Sequence, residues 1–297
     1  MTLADYLTVY LSERPGLGRT YRDSLARAVN DFGAWVGRPP AIAEVDRALL
    51  GGWAAALLEA GKRPSTINTK VARVRRLLLA AWDDGILQLP PRRVWRLREN
   101  PPAPEAWTLA ECRRLLAYLG ALPGRVGERP ACEWWTALVL ALYWTGCRIG
   151  ALLAVDVADY SPGQGLTARQ QKNGRQQWYR LPATCCEAIE RILPESGPVF
   201  AWPYHPRTLW VHFREFVERA GLPCPRTHGQ LFHRLRRTNA SYCAAEDPAI
   251  AQRQMDHASP ETTRRHYVDP RIANQRSAAD VLLDPMPPSP PTLRVIG

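Results

Sequence analysis

The chain carries five basic side chains and one tyrosine whose chemistry is complementary, provided that the fold brings them together. Guanidinium groups bind phosphate through paired hydrogen bonds and keep their protons while doing so. Imidazoles transfer protons near neutral pH, and a phenol becomes a nucleophile when it loses its proton. Such a set suits nucleophilic attack on a phosphate ester. Its six members are Arg148, Lys172, His233, Arg236, His257 and Tyr267.

Each of these residues taken alone has an ordinary structural interpretation. A lone arginine is commonly a salt-bridge partner, and a lysine beside a turn is commonly solvated. A single histidine is more often held by structural hydrogen bonds than used in catalysis, and Tyr267 alone suggests a core or interface residue. The functional interpretation therefore depends on the ordered set and on the elements that position it.

The elements predicted around the six residues place them at ends and turns. Arg148 follows an apolar run at 134–144 that predicts a buried helix ending at Thr145-Gly146. Lys172 precedes Asn173-Gly174, which predicts a two-residue primed turn at the centre of a hairpin over 167–181. His233 and Arg236 are three residues apart and so share one helix face. His257 lies in a loop-like stretch at 256–260, and Tyr267 ends a short segment that begins at Thr262.

The first hundred residues predict four helices from the spacing of their apolar residues. The first two carry the apolar residues of 3–10 and 21–35, and the third spans 45–59. The fourth follows Gly61 to Pro64, with Ser65 and Thr66 as plausible caps and an apolar stripe from Ile67 to Trp82. Another face of this helix is basic, which predicts either a DNA-groove contact or a solvated surface. The candidate DNA-binding residues are Lys62, Arg63, Lys70, Arg73 and Arg76, with Arg75 nearby.

Prolines mark the expected domain boundary and the expected tail. Residues 1–98 predict a helical domain, 99–105 a proline-interrupted linker, and 106–284 a larger domain. The larger domain opens with a Thr-x-x-Glu capping box at Thr108–Glu111. Apart from a loop at 223–230, it returns to helix from Pro206. Residues 285–297 predict a flexible proline-rich tail.

The composition favours a globular, intracellular protein with a polyanionic partner. Lys and Arg number 39 against 28 Asp and Glu, a formal net charge of +11. Such an excess favours nucleic acid, because cations placed on phosphates release condensed counterions. No secretory signal or membrane span is expected. Seven cysteines without a Cys-x-x-Cys pair predict buried thiols in a reducing cytoplasm and no zinc site.

The ordered set resembles the tyrosine recombinase (phage integrase) family. The matching stretches are TGCRIGALLAVDV, QKNGRQQWYRLP, FHRLRRTNASY and MDHASPETTRRHYVDP. The N-terminal stretch RPSTINTKVARVRRLLLAAWDDGIL resembles that family's helical core-binding domain. The resemblance covers nearly the whole chain as far as Pro270.

The resemblance implies a mainly α chain of two domains. These are a SAM-like helical core-binding domain and an α+β catalytic domain with a small antiparallel sheet, the DNA breaking-rejoining enzyme fold. Arg148 resembles the first catalytic arginine and Lys172 the hairpin lysine, which serves as general acid. His233 and Arg236 resemble the His-x-x-Arg pair. His257 resembles the second His-or-Trp position, and Tyr267 resembles the nucleophile.

The implied activity is site-specific recombination of double-stranded DNA through a 3′-phosphotyrosine, without ATP, metal or other cofactor. A homotetramer on two DNA sites would exchange strands through a four-way junction, with accessory DNA-bending or directionality proteins as further partners. Residues 271–283 suggest a helix that docks on a neighbouring protomer, or one that packs on its own domain. The expected location is the cytoplasm, with the nucleoid.

Two departures from the family pattern leave other interpretations open. Ala151 stands where the family usually has an acidic residue that supports the basic cluster, and His266 intervenes before Tyr267 as a common variant. Tyr242, within the predicted helix, is a poor alternative nucleophile. A type IB topoisomerase shares the same chemistry, and a non-catalytic DNA-binding relative is favoured only by Ala151.

Overall fold

The computed structural model describes residues 1–100, 102–169, 175–224, 230–256 and 259–273. The chain divides into two compact units, Met1–Pro101 and Pro102–Gly297. This division falls inside the predicted linker at 99–105. The assignment of DNA binding to residues 1–98 and of catalysis to residues 106–284 stays a prediction.

The first unit is built from four helices that follow the predicted apolar spacing. A Thr2–Asp5 capping box begins the first helix, and a left-handed Gly37 ends the second. Helices α2 and α4 pack together in a core that includes Phe32 and Trp53, whose ring centroids are 5.0 Å apart. The helices are α1 (Leu3–Ser12), α2 (Arg19–Val36), α3 (Arg47–Glu59) and α4 (Pro64–Asp83), with a 3₁₀ turn at Ile42–Glu44.

The fourth helix departs from its predicted start and its predicted stripe. It begins at Pro64 and not after Ser65 or Thr66, because proline presets the first helical turn and the preceding Arg63 is extended. The apolar stripe is buried from Ile67 to Leu78, but Trp82 in the last turn is 40% exposed. The predicted caps at Ser65 and Thr66 are therefore wrong, and Trp82 is the exposed end of the predicted stripe.

The second unit is mostly helical. Its predicted capping box is present, since the Thr108 side chain accepts from the Glu111 amide and the Glu111 carboxylate accepts from the Thr108 amide. The predicted buried helix is confirmed as α6, which ends at Thr145 with Gly146 in the left-handed region. The helices are α5 (Leu109–Gly120), α6 (Ala131–Thr145), α7 (Ile149–Leu152), α8 (Ala183–Glu190), α9 (Pro206–Arg219), α10 (Leu231–Glu246), α11 (Pro248–Met255), α12 (Pro260–Tyr267) and α13 (Pro270–Ala273).

The described residues of this unit also form two small antiparallel sheets, so the predicted fold class is confirmed. The first pairs β1 (Arg125–Val126) with β2 (Arg129–Pro130). The second has the order β3 (Tyr160–Ser161), β4 (Gly165–Arg169) and β5 (Gln176–Arg180), and a 3₁₀ turn at Val157–Asp159 precedes it.

The register of the hairpin differs from the one predicted. Arg169 pairs with Gln176, whereas a two-residue turn at Asn173-Gly174 would pair Arg169 with Trp178. The turn itself lies outside the described residues. A shift of two residues keeps each side chain on the same face of the sheet, so the alternation of buried and exposed residues fits both registers.

The core of the second unit surrounds the helices that carry the candidate site. Helix α10 packs against α6, α11, α12 and α13. Stacked Phe213 and Phe232, with centroids 4.2 Å apart, join α9 to α10. Ile272 of α13 is buried in this unit, which favours packing on its own domain for the start of the 271–283 segment. Residues 274–283 and the predicted tail at 285–297 lie outside the described residues.

Candidate functional site

Arg148 lies at a turn between two helices of the second unit. Gly146 ends α6 with a positive φ of 60°, and the chain then extends through Arg148 (φ −71°, ψ 142°) into α7. The Arg148 side chain is half-buried. The prediction that this residue lies at a helix junction is confirmed, and its position depends on how the end of α6 is held.

Side chains from two other helices satisfy the last carbonyls of α6. The Asn239 amide of α10 donates to the Tyr143 and Trp144 carbonyls at 2.8 and 3.1 Å. The Gln254 amide of α11 donates to the Trp144 and Thr145 carbonyls at 3.0 and 2.9 Å. Carbonyls at a helix end have no partner within the helix, so these bonds fix the end of α6 and hence the start of the Arg148 turn.

Sequence reasoning missed Asn239 and Gln254. Asparagine in the middle of a helix is unfavourable because its side chain competes for backbone groups, so Asn239 carried a weak signal. Gln254 carried none. Ala151, at the position where the family usually has an acidic residue, is 1% exposed. Its methyl group offers no hydrogen bond, and support for the Arg148 turn comes instead from the side chains that hold the end of α6.

Gly146 is required both for its backbone conformation and for the space around it. A Cβ there would lie 2.5 Å from Met255 Cε and 2.6 Å from Asn239 Oδ1. We expect Gly146→Ala to lower the free energy of unfolding by about 2 kcal/mol or more, since strain and overlap add. Urea unfolding measures this loss. Gly221→Ala is the control, because Gly221 also has a positive φ of 68° but no atom within 4 Å of an added Cβ. An equal loss in both variants would contradict the packing argument.

Arg236 is the most deeply buried of the cations of the site that the structure describes. Its side chain is 1% exposed, and its terminal nitrogens donate to the Gly146 carbonyl at 2.5 Å and the Met255 carbonyl at 2.8 Å. Burial lowers the pKa of Arg236, Tyr267 opposes this shift, and the charge of Arg148 adds to it. The guanidinium thus joins the ends of α6 and α11, and Arg148 is close enough to act on it electrostatically.

Tyr267 is the last residue of α12 and lies beside Arg236. The Arg236 Cζ atom is 5.1 Å from the centroid of the Tyr267 ring. The tyrosine is half-buried. The guanidinium therefore lies over the face of the aromatic ring, as in a cation–π contact. Tyr242, the alternative tyrosine, instead accepts a hydrogen bond from the Leu109 amide at 2.8 Å.

His233 lies one turn before Arg236 on α10 and is neutral at pH 7. Burial first, and then the charges of Arg236, Arg237 and Arg148, together lower its pKa to about 4. A neutral imidazole has one nitrogen that donates and one that accepts a proton, so His233 can take part in proton transfer at neutral pH. The influence of Arg148 on both His233 and Arg236 places these three residues in one cluster with Tyr267.

This lowered pKa predicts how stability depends on pH. The unfolded chain protonates His233 below about 6.5, but the folded chain does so only near 4. Between these values the unfolded state binds more protons, so the free energy of unfolding falls as the pH falls. We expect His233 to contribute a loss of about 2 kcal/mol between pH 7 and pH 5. Urea unfolding of the wild type and His233→Gln at both pH values measures this, and equal losses would contradict the shift.

Lys172 and His257 lie outside the described residues, but the segments that flank them meet. Arg175, at the end of the undescribed hairpin turn, has its guanidinium 3.8 Å from the carboxylate of Asp256, the residue before His257. The Gln177 amide of β5 donates to the Arg253 and Gln254 carbonyls of α11 at 2.9 and 3.3 Å. Both flanks therefore lie at the end of α11 that Arg236 also contacts through Met255.

The predicted basic face of α4 makes contacts within the first unit. Lys70 forms an ion pair with Asp31, and Arg73 donates to Ser24 at 3.1 Å while its Cζ lies 4.2 Å from the Tyr21 ring centroid. Arg76 is near Tyr10, and the hydrogen bond to that tyrosine raises its pKa. Lys62 and Arg63 are exposed before α4. Contacts of these five residues with DNA stay a prediction.

The described part of the chain contains neither a candidate membrane span nor a candidate metal cluster. No helix there has the length and apolarity to cross a bilayer. No group of three His, Cys, Asp or Glu side chains is arranged to hold a metal ion in the same residues.

Comparison with known proteins identifies the family. The model of the phage integrase family matches residues 110–273, more than half of the chain. A search among curated proteins found no match. Among solved structures, the Tn1549 transposon integrase in complex with a circular intermediate DNA has a TM-score of 0.67 and 15% identity, over 90% of this chain and 95% of that one.

Two further solved structures share the fold at similar identity. A lambda integrase dimer bound to a COC′ core site has a TM-score of 0.66 and 16% identity, over 89% of this chain and 77% of that one. The XerH site-specific recombinase bound to a palindromic difH substrate has a TM-score of 0.68 and 15% identity, over 92% and 82%. With the family match and the arginine-tyrosine cluster, these findings lead to one conclusion: the chain belongs to the phage integrase family of tyrosine-type site-specific recombinases.

Proposed function

We propose that this recombinase cuts and rejoins DNA through a covalent 3′-phosphotyrosine at Tyr267. The observation that carries the proposal is the approach of Tyr267 to Arg236, with 5.1 Å between ring centroid and Cζ, in the cluster that also holds Arg148 and His233. These residues come from the α6–α7 turn, α10 and α12, so only the folded chain brings them together. A phenol beside fixed guanidiniums is the arrangement that phosphodiester attack needs.

The proposed reaction exchanges one phosphodiester for another. The Tyr267 oxygen attacks the phosphorus, the bond to the 5′ oxygen breaks, and a 3′-phosphotyrosine and a free 5′ hydroxyl result. Arg148 and Arg236 neutralise the charge that builds on the non-bridging oxygens. Lys172 protonates the leaving 5′ oxygen, as the family resemblance implies. His233 and His257 hydrogen-bond the phosphate or move protons.

Neither ATP nor a metal ion is required by this scheme. The phosphotyrosine ester retains the energy of the broken bond, so attack by a 5′ hydroxyl reverses the step without another energy source. The arginines supply the positive charge that a metal ion supplies in other phosphoryl-transfer sites.

Double-stranded DNA at a specific site is the proposed partner. The formal net charge of +11 favours a polyanion, and the exposed Lys62 and Arg63 offer cations on the first unit. Related folds are known with DNA, including a lambda integrase tetramer bound to a Holliday junction. We extend this to a homotetramer on two sites, acting on DNA in the cytoplasm, with accessory DNA-bending or directionality proteins as further partners.

The test captures the covalent intermediate on DNA that the protein itself chooses. Duplexes bound by the protein are selected from a random-sequence library, and the enriched sequence is called the selected duplex. A series of copies is made, each with a single nick at a different position. A nick close to the cleavage site lets the short strand with the free 5′ hydroxyl diffuse away, which prevents rejoining. We expect an adduct that survives denaturing gels, contains phosphotyrosine and forms in EDTA without ATP. Binding without an adduct at any nick would support a non-catalytic DNA-binding relative.

A second measurement separates recombination from topoisomerase activity. Two selected duplexes with arms of different length are incubated together with the protein. A recombinase exchanges the arms and yields duplexes of two new lengths. Relaxation of a supercoiled plasmid that lacks the selected sequence, with no exchanged arms, would instead indicate a type IB topoisomerase.

A further inference from the structure

The helix that ends in Tyr267 is held by few buried side chains of its own. Helix α12 has eight residues, and Thr263 is its one buried residue. Residues 257 and 258, just before it, lie outside the described residues. A short helix with so little buried surface has low local stability. The position of Tyr267 therefore depends strongly on where the chain is fixed immediately after it.

The chain is fixed two residues later, at Asp269. Asp269 is 1% exposed, and the backbone amide of this residue donates to the Ser241 hydroxyl of α10 at 2.8 Å. The Ser241 hydroxyl also lies 3.4 Å from the Tyr267 carbonyl. One carboxylate oxygen, Oδ1, accepts from the Arg271 amide at 2.9 Å and caps the start of α13. The single proton of the Ser241 hydroxyl is also directed to the Arg237 carbonyl at 2.7 Å, so the connection is held mainly at Asp269.

The other carboxylate oxygen of Asp269 reaches a distant part of the chain. Oδ2 accepts from the Ala106 amide at 2.9 Å, in a buried contact between residues 163 positions apart. Burial works to raise the pKa of Asp269, but hydrogen bonds from Arg271 and the Ala106 amide outweigh it, and the pKa lies below its ordinary value. The carboxylate is therefore charged at neutral pH, which strengthens the hydrogen bonds that it accepts.

The segment around Ala106 is itself firmly attached to α10. Trp107 is 0% exposed, and its amide donates to the Thr238 hydroxyl at 2.9 Å. Glu105 forms an ion pair with Arg234, which is buried at 6% exposure. Ala106 thus offers Asp269 a fixed donor between two anchored neighbours.

We propose that Asp269 is a positioning residue that holds Tyr267 in place for attack, through its bonds to Ser241 and to the Ala106 amide. Asp269 does not touch the phosphate in this scheme; it acts through the end of α12. The inference rests on the proposed function of Tyr267. It gives the segment at 105–107, near the start of the second unit, an effect on catalysis.

Asp269→Asn tests the Ala106 contact with the smallest change of shape. The asparagine oxygen can still cap α13, but its amide nitrogen would then stand where Oδ2 accepts the Ala106 proton. An N–H cannot accept that bond, nor the one that the Arg271 guanidinium donates to Oδ2 at 2.7 Å, so both contacts are lost while the cap is kept. We expect single-turnover adduct formation on saturating nicked selected duplex to slow by about tenfold to a hundredfold, because small misplacements of a reacting group have effects of that size. DNA affinity should remain within about twofold of wild type, since no proposed DNA contact is changed.

Asp247→Asn is the matched control in the same unit. Asp247 also precedes a proline and caps a helix, with Oδ1 accepting from the Ala249 amide at 2.7 Å. Asparagine keeps this cap, and adduct formation should stay close to the wild-type rate. Ser241→Ala, which removes the other anchor, should slow adduct formation in the same direction as Asp269→Asn.

Hydrogen exchange of the α12 amides gives a readout that general destabilisation would not produce. We expect faster exchange over 260–267 in Asp269→Asn and Ser241→Ala, with α6 and α9 unchanged, and no such change in Asp247→Asn. Wild-type rates and wild-type α12 exchange in Asp269→Asn would overturn the inference while leaving the proposed function standing. Slower adduct formation with unchanged α12 exchange would also overturn it. Failure of the wild type to form any adduct would instead count against the proposed function itself.

Discussion

Tyr267→Phe is expected to bind the selected duplex with wild-type affinity and to form no covalent adduct at any nick position. Phenylalanine keeps the ring beside Arg236, where Cζ lies 5.1 Å from the ring centroid, but lacks the oxygen that attacks. The expected loss is complete because no other group replaces the nucleophile in a covalent mechanism. Denaturing gels of labelled nicked duplex measure the adduct, and gel-shift titrations measure the affinity.

Tyr242→Phe is the matched control for this variant. Tyr242 is on α10, and its hydroxyl accepts a hydrogen bond from the Leu109 amide at the start of α5. Loss of one such hydrogen bond typically lowers the free energy of unfolding by about 1 kcal/mol. The variant should therefore still fold and form the adduct. An adduct that persists in Tyr267→Phe, or one that disappears in Tyr242→Phe with its fold intact, would contradict the assignment of the nucleophile.

Arg236→Lys is expected to lower the rate of adduct formation by about a hundredfold or more, with a smaller effect on DNA affinity. Lysine keeps one positive charge, but it lacks the planar set of donors that arginine offers. Arg236 uses those donors on the Gly146 and Met255 carbonyls, so the substitution also loosens the turn that carries Arg148. Single-turnover rates on saturating nicked selected duplex measure the loss.

The matched control is Arg234→Lys, two residues earlier on α10. Arg234 is also buried, at 6% exposure, but its ion pair is with Glu105 and a lysine can retain it as a point charge. We expect a rate within a few-fold of wild type, and thermal unfolding of both variants shows whether either is misfolded. Similar rates in the two variants, with both folded, would remove Arg236 from the catalytic group.

Much of the fold was predictable because it depends on local sequence patterns. The apolar spacing of α1 to α4, the Thr108–Glu111 capping box and the end of α6 at Gly146 each involve residues within a few positions of one another. The family membership followed from the order and spacing of the motif residues. Of the six candidates, the structure brings Arg148, His233, Arg236 and Tyr267 into one cluster, while Lys172 and His257 lie outside the described residues.

Features that depend on distant residues were missed. The β4–β5 register differs by two residues from the one that a two-residue turn at Asn173-Gly174 would give. Lys70 and Arg73, predicted as a DNA-binding face, contact Asp31 and Tyr21 of α2. The contacts of Asn239 and Asp269 join residues 96 and 163 positions apart, so no local sequence pattern predicts them.

The sequence by itself determined which side chains are available for chemistry, most of the helices that carry them and the family to which the chain belongs. These properties depend on residue type and on short-range spacing. Only the tertiary structure decided how the side chains are held: Arg236 between two helix ends, Asn239 and Gln254 on the carbonyls of α6, and Asp269 behind the nucleophile. Burial leaves backbone carbonyls and amides without water, and the partners that satisfy them are those that packing brings near, whatever their distance along the chain.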